Sequence, residues 1–234
     1  MKNLLTGGMA PLDAFALAWF LFCWIGYNWF TTHGPLARQS LVGVSHNYRL
    51  MWARQLLRRD NRVVDSSLVG NLISSVTFYA NTTIYVIAGL MALWGTLDNT
   101  IGVLAELPFA RKSDPALSEL RLVLLIIVFV FAYFNFSWAL REFNLLSIMI
   151  GGAPDMKTVA AAENGCDSYA QKMVAVNSMA GEEFNKGVRS YYFGLAALAW
   201  FIQPWFFIGA TTWVVIIMYR RDYRSSLQKS LMPD

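Results

Sequence analysis

Arg141, Glu142 and Asn144 follow closely on an apolar run, Leu122–Ala132, along what reads as a single helix. An ionisable group at bilayer depth costs about 2.5–3.5 kcal/mol on insertion scales, so these charges must be paired, lie near an interface, or serve a function. Asp65 and Asn71 stand at the start of a second apolar stretch, and Asn185 and Arg189 at the start of another. Two kinds of chemistry suit that set. Carboxylates and guanidinium groups can clamp helices as an ion-pair network, with Asp65, Glu142, Glu182 and Glu183 balancing the arginines. Alternatively, the arginines and amides can hold an anion or a lipid headgroup. Catalysis finds little support. His33 and His46 stand in no metal-ligand spacing, Gly7-Gly8 and Gly151-Gly152 lack the rest of a phosphate loop, and Ser74-Ser75 has no neighbouring base. No catalytic residue, metal site or cofactor is therefore expected.

The elements that must position these residues are membrane helices. Hydrophobic residues make up 56% of the chain and charged residues 15%, and mean hydropathy is +0.40, too apolar for an ordinary soluble domain. A bilayer core about 30 Å thick needs roughly 20 apolar helical residues. Four stretches qualify, at 12–30, 67–95, 119–145 and 187–219. Pro11 and Asp13 open the first, Gly95 and Asp98 close the second, Gly151-Gly152-Ala153-Pro154 stops the third, and Pro204 should kink the fourth. The segment 36–60 reads as an interfacial helix, with Leu41, Val44, Tyr48, Met51, Trp52 and Leu56 on one face and arginines at its flanks. The segment 155–183 reads as a second membrane-proximal helix broken at Asn164-Gly165, and 96–118 as an irregular loop. The expected architecture is an all-α, polytopic bundle in one domain, with four transmembrane helices and two membrane-proximal amphipathic helices.

Charge sets the expected partners. The chain carries a net +4, and Arg49, Arg54, Arg58, Arg59 and Arg62 cluster beside apolar segments, so anionic lipid headgroups are the expected partner and nucleic acid is not. With Arg38, these residues argue for a cytoplasmic 36–60 and, with four spans, for both termini on the opposite side. The tail residues Arg220, Arg221, Arg224 and Lys229 conflict with that reading. If Pro204 instead divides a re-entrant hairpin, both basic clusters share a side. The N-terminal apolar stretch lacks a small-residue cleavage site at its end, so no cleaved signal peptide is expected. Cys23 and Cys166 read as packing residues.

Helical spacing gathers polar residues into stripes. Asn71, Ser74, Ser75, Asn81, Thr82 and Tyr85 share one face of the second span, which must meet another helix, a neighbouring subunit or water. Asn185, Arg189, Tyr192, Ala196, Ala199 and Gln203 share a face of the fourth. In an up-down bundle Asp65, Asn71, Arg141, Glu142, Asn144, Asn185 and Arg189 would converge in one leaflet, as a clamp or as an anion or headgroup site.

The stretches Pro11-Leu12-Asp13, Ser75-Val76-Thr77-Phe78-Tyr79-Ala80-Asn81-Thr82-Thr83, Glu106-Leu107-Pro108-Phe109, Phe136-Ser137-Trp138-Ala139-Leu140-Arg141-Glu142-Phe143-Asn144 and Phe184-Asn185-Lys186-Gly187-Val188-Arg189-Ser190-Tyr191-Tyr192-Phe193 resemble an uncharacterised family, domain of unknown function 599, found in bacterial and plant membrane proteins. The resemblance implies a multi-span membrane protein and brings no activity. The expected function is that of a non-enzymatic protein of the bacterial inner membrane, an oligomeric accessory or scaffold subunit with a lipid-binding basic surface. Alternatives are a small-anion channel or transporter using Arg141 and Arg189, and an intramembrane enzyme.

Overall fold

The computed structural model describes residues 10–34, 41–96, 115–161 and 166–224, the side chains of His33, Leu41, Val42 and Val44 excepted. The expectations for Arg38, for 97–114, for Asn164-Gly165 and for Lys229 lie outside the described residues. Within them the regular elements are all helical: α1 (Pro11–His33), α2 (Leu41–Leu57), α3 (Val63–Gly95), α4 (Pro115–Gly151), α5 (Met156–Ala161), α6 (Asp167–Leu198), a 3-10 turn (Ala199–Phe201) and α7 (Pro204–Tyr223).

Local chemistry sets the boundaries. Proline opens α1, α4 and α7, where its missing N–H would have no helical partner in any case. Asp13, Asp65 and Asp167 lie in the first turns of α1, α3 and α6, facing the positive end of each helix dipole. The Asn61 side chain accepts the Val63 N–H and the Asp155 side chain accepts the Thr158 N–H, so two helix starts are capped.

Three helices are long and apolar enough to cross a membrane, α1 over Pro11–Thr32, α3 and α4, which marks an integral membrane protein. The fourth expected span, 187–219, is not one helix. Its first part is the end of α6, which runs without a break from Asp167 and so also absorbs most of the segment expected as a separate membrane-proximal helix. The break comes at residues 199–203, because Pro204 cannot donate a backbone hydrogen bond and its ring would clash with the carbonyl of Trp200. There the chain reverses. The Arg221 guanidinium donates to the Tyr192 hydroxyl at 2.9 Å, 29 residues earlier in the sequence. A straight helix would set those residues about 43 Å apart, far beyond the combined reach of the two side chains. The chain thus folds back at Pro204 and does not run on as one kinked helix.

The chain divides into two compact units. One contains α1, 82–95 of α3, 115–133 of α4, 188–198 of α6, the 3-10 turn and α7 as far as Arg221. Its core is aromatic: Phe20 packs edge-on against Phe193 and beside Phe207, and Trp200 stacks on Phe207 at 4.9 Å between ring centroids. Such pairs contribute about 0.5–1.5 kcal/mol each beyond the area they bury. The other unit contains α2, 63–81 of α3, 134–151 of α4, α5 and 167–187 of α6. Here α6 approaches α4 closely at Gly187, where any Cβ would run into the Phe136 ring. Tyr79 and Phe184 complete that aromatic cluster.

Candidate functional site

In the second unit the arginines of α2 and the α2–α3 link differ in what they meet. Asp65, fully buried, accepts hydrogen bonds on one carboxylate oxygen from the Trp52 indole at 2.9 Å and from Arg59 at 2.7 Å. Arg62 donates to the backbone carbonyls of Ala153 and Pro154, tying the link to the turn after α4. Arg54 makes a two-pronged pair with Asp167 on the exposed surface, at 2.6 and 3.3 Å. That pair holds the Asp167 carboxyl below the usual carboxylate range and raises the Arg54 guanidinium, in each case first through the shared hydrogen bond. Arg58 is exposed.

Arg49 differs from these. Its guanidinium is partly buried and donates to the neutral Ser178 hydroxyl at 3.1 Å; among the described residues it has no carboxylate partner. Burial lowers its affinity for the proton. Gly181 makes its position possible, since a Cβ there would lie 2.8 Å from one guanidinium nitrogen. Arg49 lines a cavity of about 480 Å³ together with Asn177 and Asn185. Neither amide side chain makes a hydrogen bond among the described residues, although Asn177 is only 8% exposed. The walls are mainly apolar, with buried Val69, Val76 and Phe143, partly buried Phe184 and the exposed Leu68 and Leu72, and Ser45, Tyr48 and Ser75 also line the groove. A cation and two unpartnered amides beside an apolar groove match an amphiphile with an anionic, hydrogen-bonding head.

The expected cluster of Asp65, Asn71, Arg141, Glu142, Asn144, Asn185 and Arg189 is not joined by its expected ion pairs. Asp65 is taken by Arg59, which lies six residues away on the link between α2 and α3. Arg141 is exposed, stacks 5.3 Å over the Trp138 ring, and makes no ion pair among the described residues. Glu142 interacts instead with the charges of α6, where Lys186 bridges Glu183 at 2.8 Å and Glu182 at 3.7 Å. Asn71 and Asn144 are exposed, and Asn185 lines the groove. Arg189 belongs to the first unit, where it donates to Thr31 at 2.7 Å and lies over the Tyr27 ring.

The stripes fare differently. In α3, Asn71, Ser74, Ser75, Asn81 and Tyr85 are exposed and Thr82 is partly so; the buried face is instead Val69, Val76, Ala80, Thr83 and Leu90. In α6, Tyr192 accepts from Arg221 and Ala196 is buried, but Gln203 lies beyond the helix end, where its carbonyl accepts the Phe207 N–H of α7.

Sequence reasoning missed the buried polar centre of the first unit. Arg121 and Asp13, 3% and 1% exposed, pair at 3.4 Å, and the Trp200 indole donates to the same Asp13 oxygen at 2.9 Å. A signal for it existed in two opposite charges placed near the starts of apolar helices, Asp13 in α1 and Arg121 in α4.

No curated protein and no solved structure matches this chain. The family model described as "Protein of unknown function, DUF599" matches residues 15–227, most of the chain and both units. The chain belongs to the DUF599 family.

Proposed function

We propose that this protein is a non-enzymatic scaffold or accessory subunit of the bacterial inner membrane that holds an anionic lipid in the groove beneath α2. The observation that carries this reading is Arg49, a cation whose only polar contact among the described residues is a neutral hydroxyl, set beside two unpartnered amides in a mainly apolar groove. A lipid phosphate offers the missing anionic acceptor, and an acyl chain covers Leu68 and Leu72. The arginines outside the groove add a diffuse attraction of about 1 kcal/mol per cation near an anionic surface.

The reversal at Pro204 supports a common side for both basic clusters. After three crossings the chain enters along α6 and returns along α7, so Arg220, Arg221 and Arg224 come to the side of the α2 arginines, with the N-terminus opposite. Charge then favours that side as cytoplasmic. This replaces the sidedness expected from four straight spans. Cysteines at Arg58 and Arg224 should be protected together from a membrane-impermeant reagent applied to intact cells; labelling of only one would reject the common side.

Lipid retention tests the groove. Native mass spectrometry should show bound phosphatidylglycerol on protein taken through phosphatidylglycerol vesicles, and less bound lipid on protein taken through zwitterionic phosphatidylcholine vesicles. Arg49→Gln should remove the bound phosphatidylglycerol, and inorganic phosphate should not. Equal retention by the wild-type protein and Arg49→Gln would reject the reading.

A further inference from the structure

The polar face of α3 points away from the fold. Among the three candidate spans α3 is the least buried, with 17% of its apolar window covered against 33% and 50% for α1 and α4. Its buried residues, Val69, Val76, Ala80, Thr83 and Leu90, lie on the opposite side of the helix from Asn71, Ser74, Phe78, Asn81, Tyr85 and Ala88. All six of the latter are exposed, Phe78 by 66% and Tyr85 by 75%. The side chains of Asn71, Ser74, Asn81 and Tyr85 make no hydrogen bond among the described residues.

Depth makes this arrangement costly in a lone chain. The 33 residues of α3 span about 50 Å, and Asn81 sits about 27 Å from one end and about 21 Å from the other. Wherever a hydrocarbon core about 30 Å thick is laid along that length, Asn81 falls inside it. Lipid tails offer an amide neither donor nor acceptor.

Spacing indicates what covers the face. From Asn71 to Ala88 the six residues advance in alternating steps of three and four, the seam of a left-handed pair of helices. Copies of one chain insert in the same direction, so a two-fold axis along the bilayer normal would set α3 parallel to its counterpart and bring like residues together. An asparagine amide both donates and accepts, which lets two of them satisfy each other across such an axis. We infer that α3 pairs with α3 of a second copy along Asn71, Ser74, Phe78, Asn81, Tyr85 and Ala88, with Asn81 meeting its counterpart at the centre. This pairing rests on α3 alone and does not depend on the lipid reading.

The test is cross-linking in the membrane, in a chain with Cys23→Ala and Cys166→Ala. Asn81→Cys and Tyr85→Cys should each give a disulfide-linked dimer on mild oxidation. Ile84→Cys and Leu72→Cys, exposed but off the seam, should not. Without cross-linker, Asn81→Leu should weaken dimer association by about 3- to 20-fold in bilayers, and Asn81→Gln should weaken it less. Because Asn81 has no partner among the described residues, Asn81→Leu should leave the thermal unfolding of the monomer unchanged. Cross-linking at Ile84 equal to that at Asn81, a product joined to a different protein, or a wild-type chain that stays monomeric at every protein-to-lipid ratio would overturn the pairing.

Discussion

The two units differ in how far they close their buried charges. In the first, Asp13, Arg121 and Trp200 form a closed group in which cation, anion and indole are all buried and mutually bonded, beside an aromatic core. In the second, the buried Asp65 is met by the Trp52 indole and a half-exposed Arg59, and Arg49 has only Ser178 and an open groove. A charge removed from water needs a counter-charge. Where the fold supplies one, as at Asp13, the group is structural; where it does not, as at Arg49, we place the proposed lipid headgroup.

Breaking the closed group should have the largest effect. Arg121→Met leaves Asp13 buried without its cation and is expected to cost about 3–5 kcal/mol, read as detergent-resistant unfolding. Adding Asp13→Leu should recover much of that loss, and a double-mutant cycle with no coupling would show the pair to be incidental. Gly187→Ala, which drives a methyl group into the Phe136 ring of the second unit, should cost about 1–3 kcal/mol in the same assay. Retention of wild-type stability there would mean that α4 and α6 separate freely at Gly187.

The exposed Arg54–Asp167 pair should give the smallest effect, and one that depends on pH. The Asp167 carboxyl titrates below its ordinary value in the folded protein because Arg54 and Gln171 donate to it. Its contribution is therefore present above the unfolded carboxylate range and is lost as pH falls through the lower folded value. Asp167→Asn should flatten that part of the pH–stability curve and leave stability at neutral pH little changed, more so at high salt. An unchanged acid limb in Asp167→Asn would remove the pair from the account.

Much of the fold was legible because membrane helices carry strong local signals. Pro11, Gly151 and the apolar content of three spans marked elements that the structure contains. The fourth span was harder to read. Apolar length alone cannot distinguish a straight helix from two that fold back at Pro204, and only the conflict between two basic clusters pointed to reversal. The site was less legible still. Periodicity found the α3 stripe but not the direction it faces, since α3 is apolar on its buried side and semi-polar on the other. Arg49 was placed with the headgroup arginines, yet its distinction from Arg54 and Arg59 depends on Gly181 and Asn177, which lie far along the chain. Charge pairing followed proximity along the chain, so Asp65 met Arg59 and not Arg141.

The most direct test of the central claim is a high-resolution cryo-EM map of the protein in nanodiscs of native lipid, read at the groove of the second unit. Headgroup density within hydrogen-bonding distance of Arg49 and Asn177, with an acyl chain running past Leu68 and Leu72, is the expected result. A groove filled by ordered water alone, or Arg49 paired with a carboxylate of the protein, would contradict it.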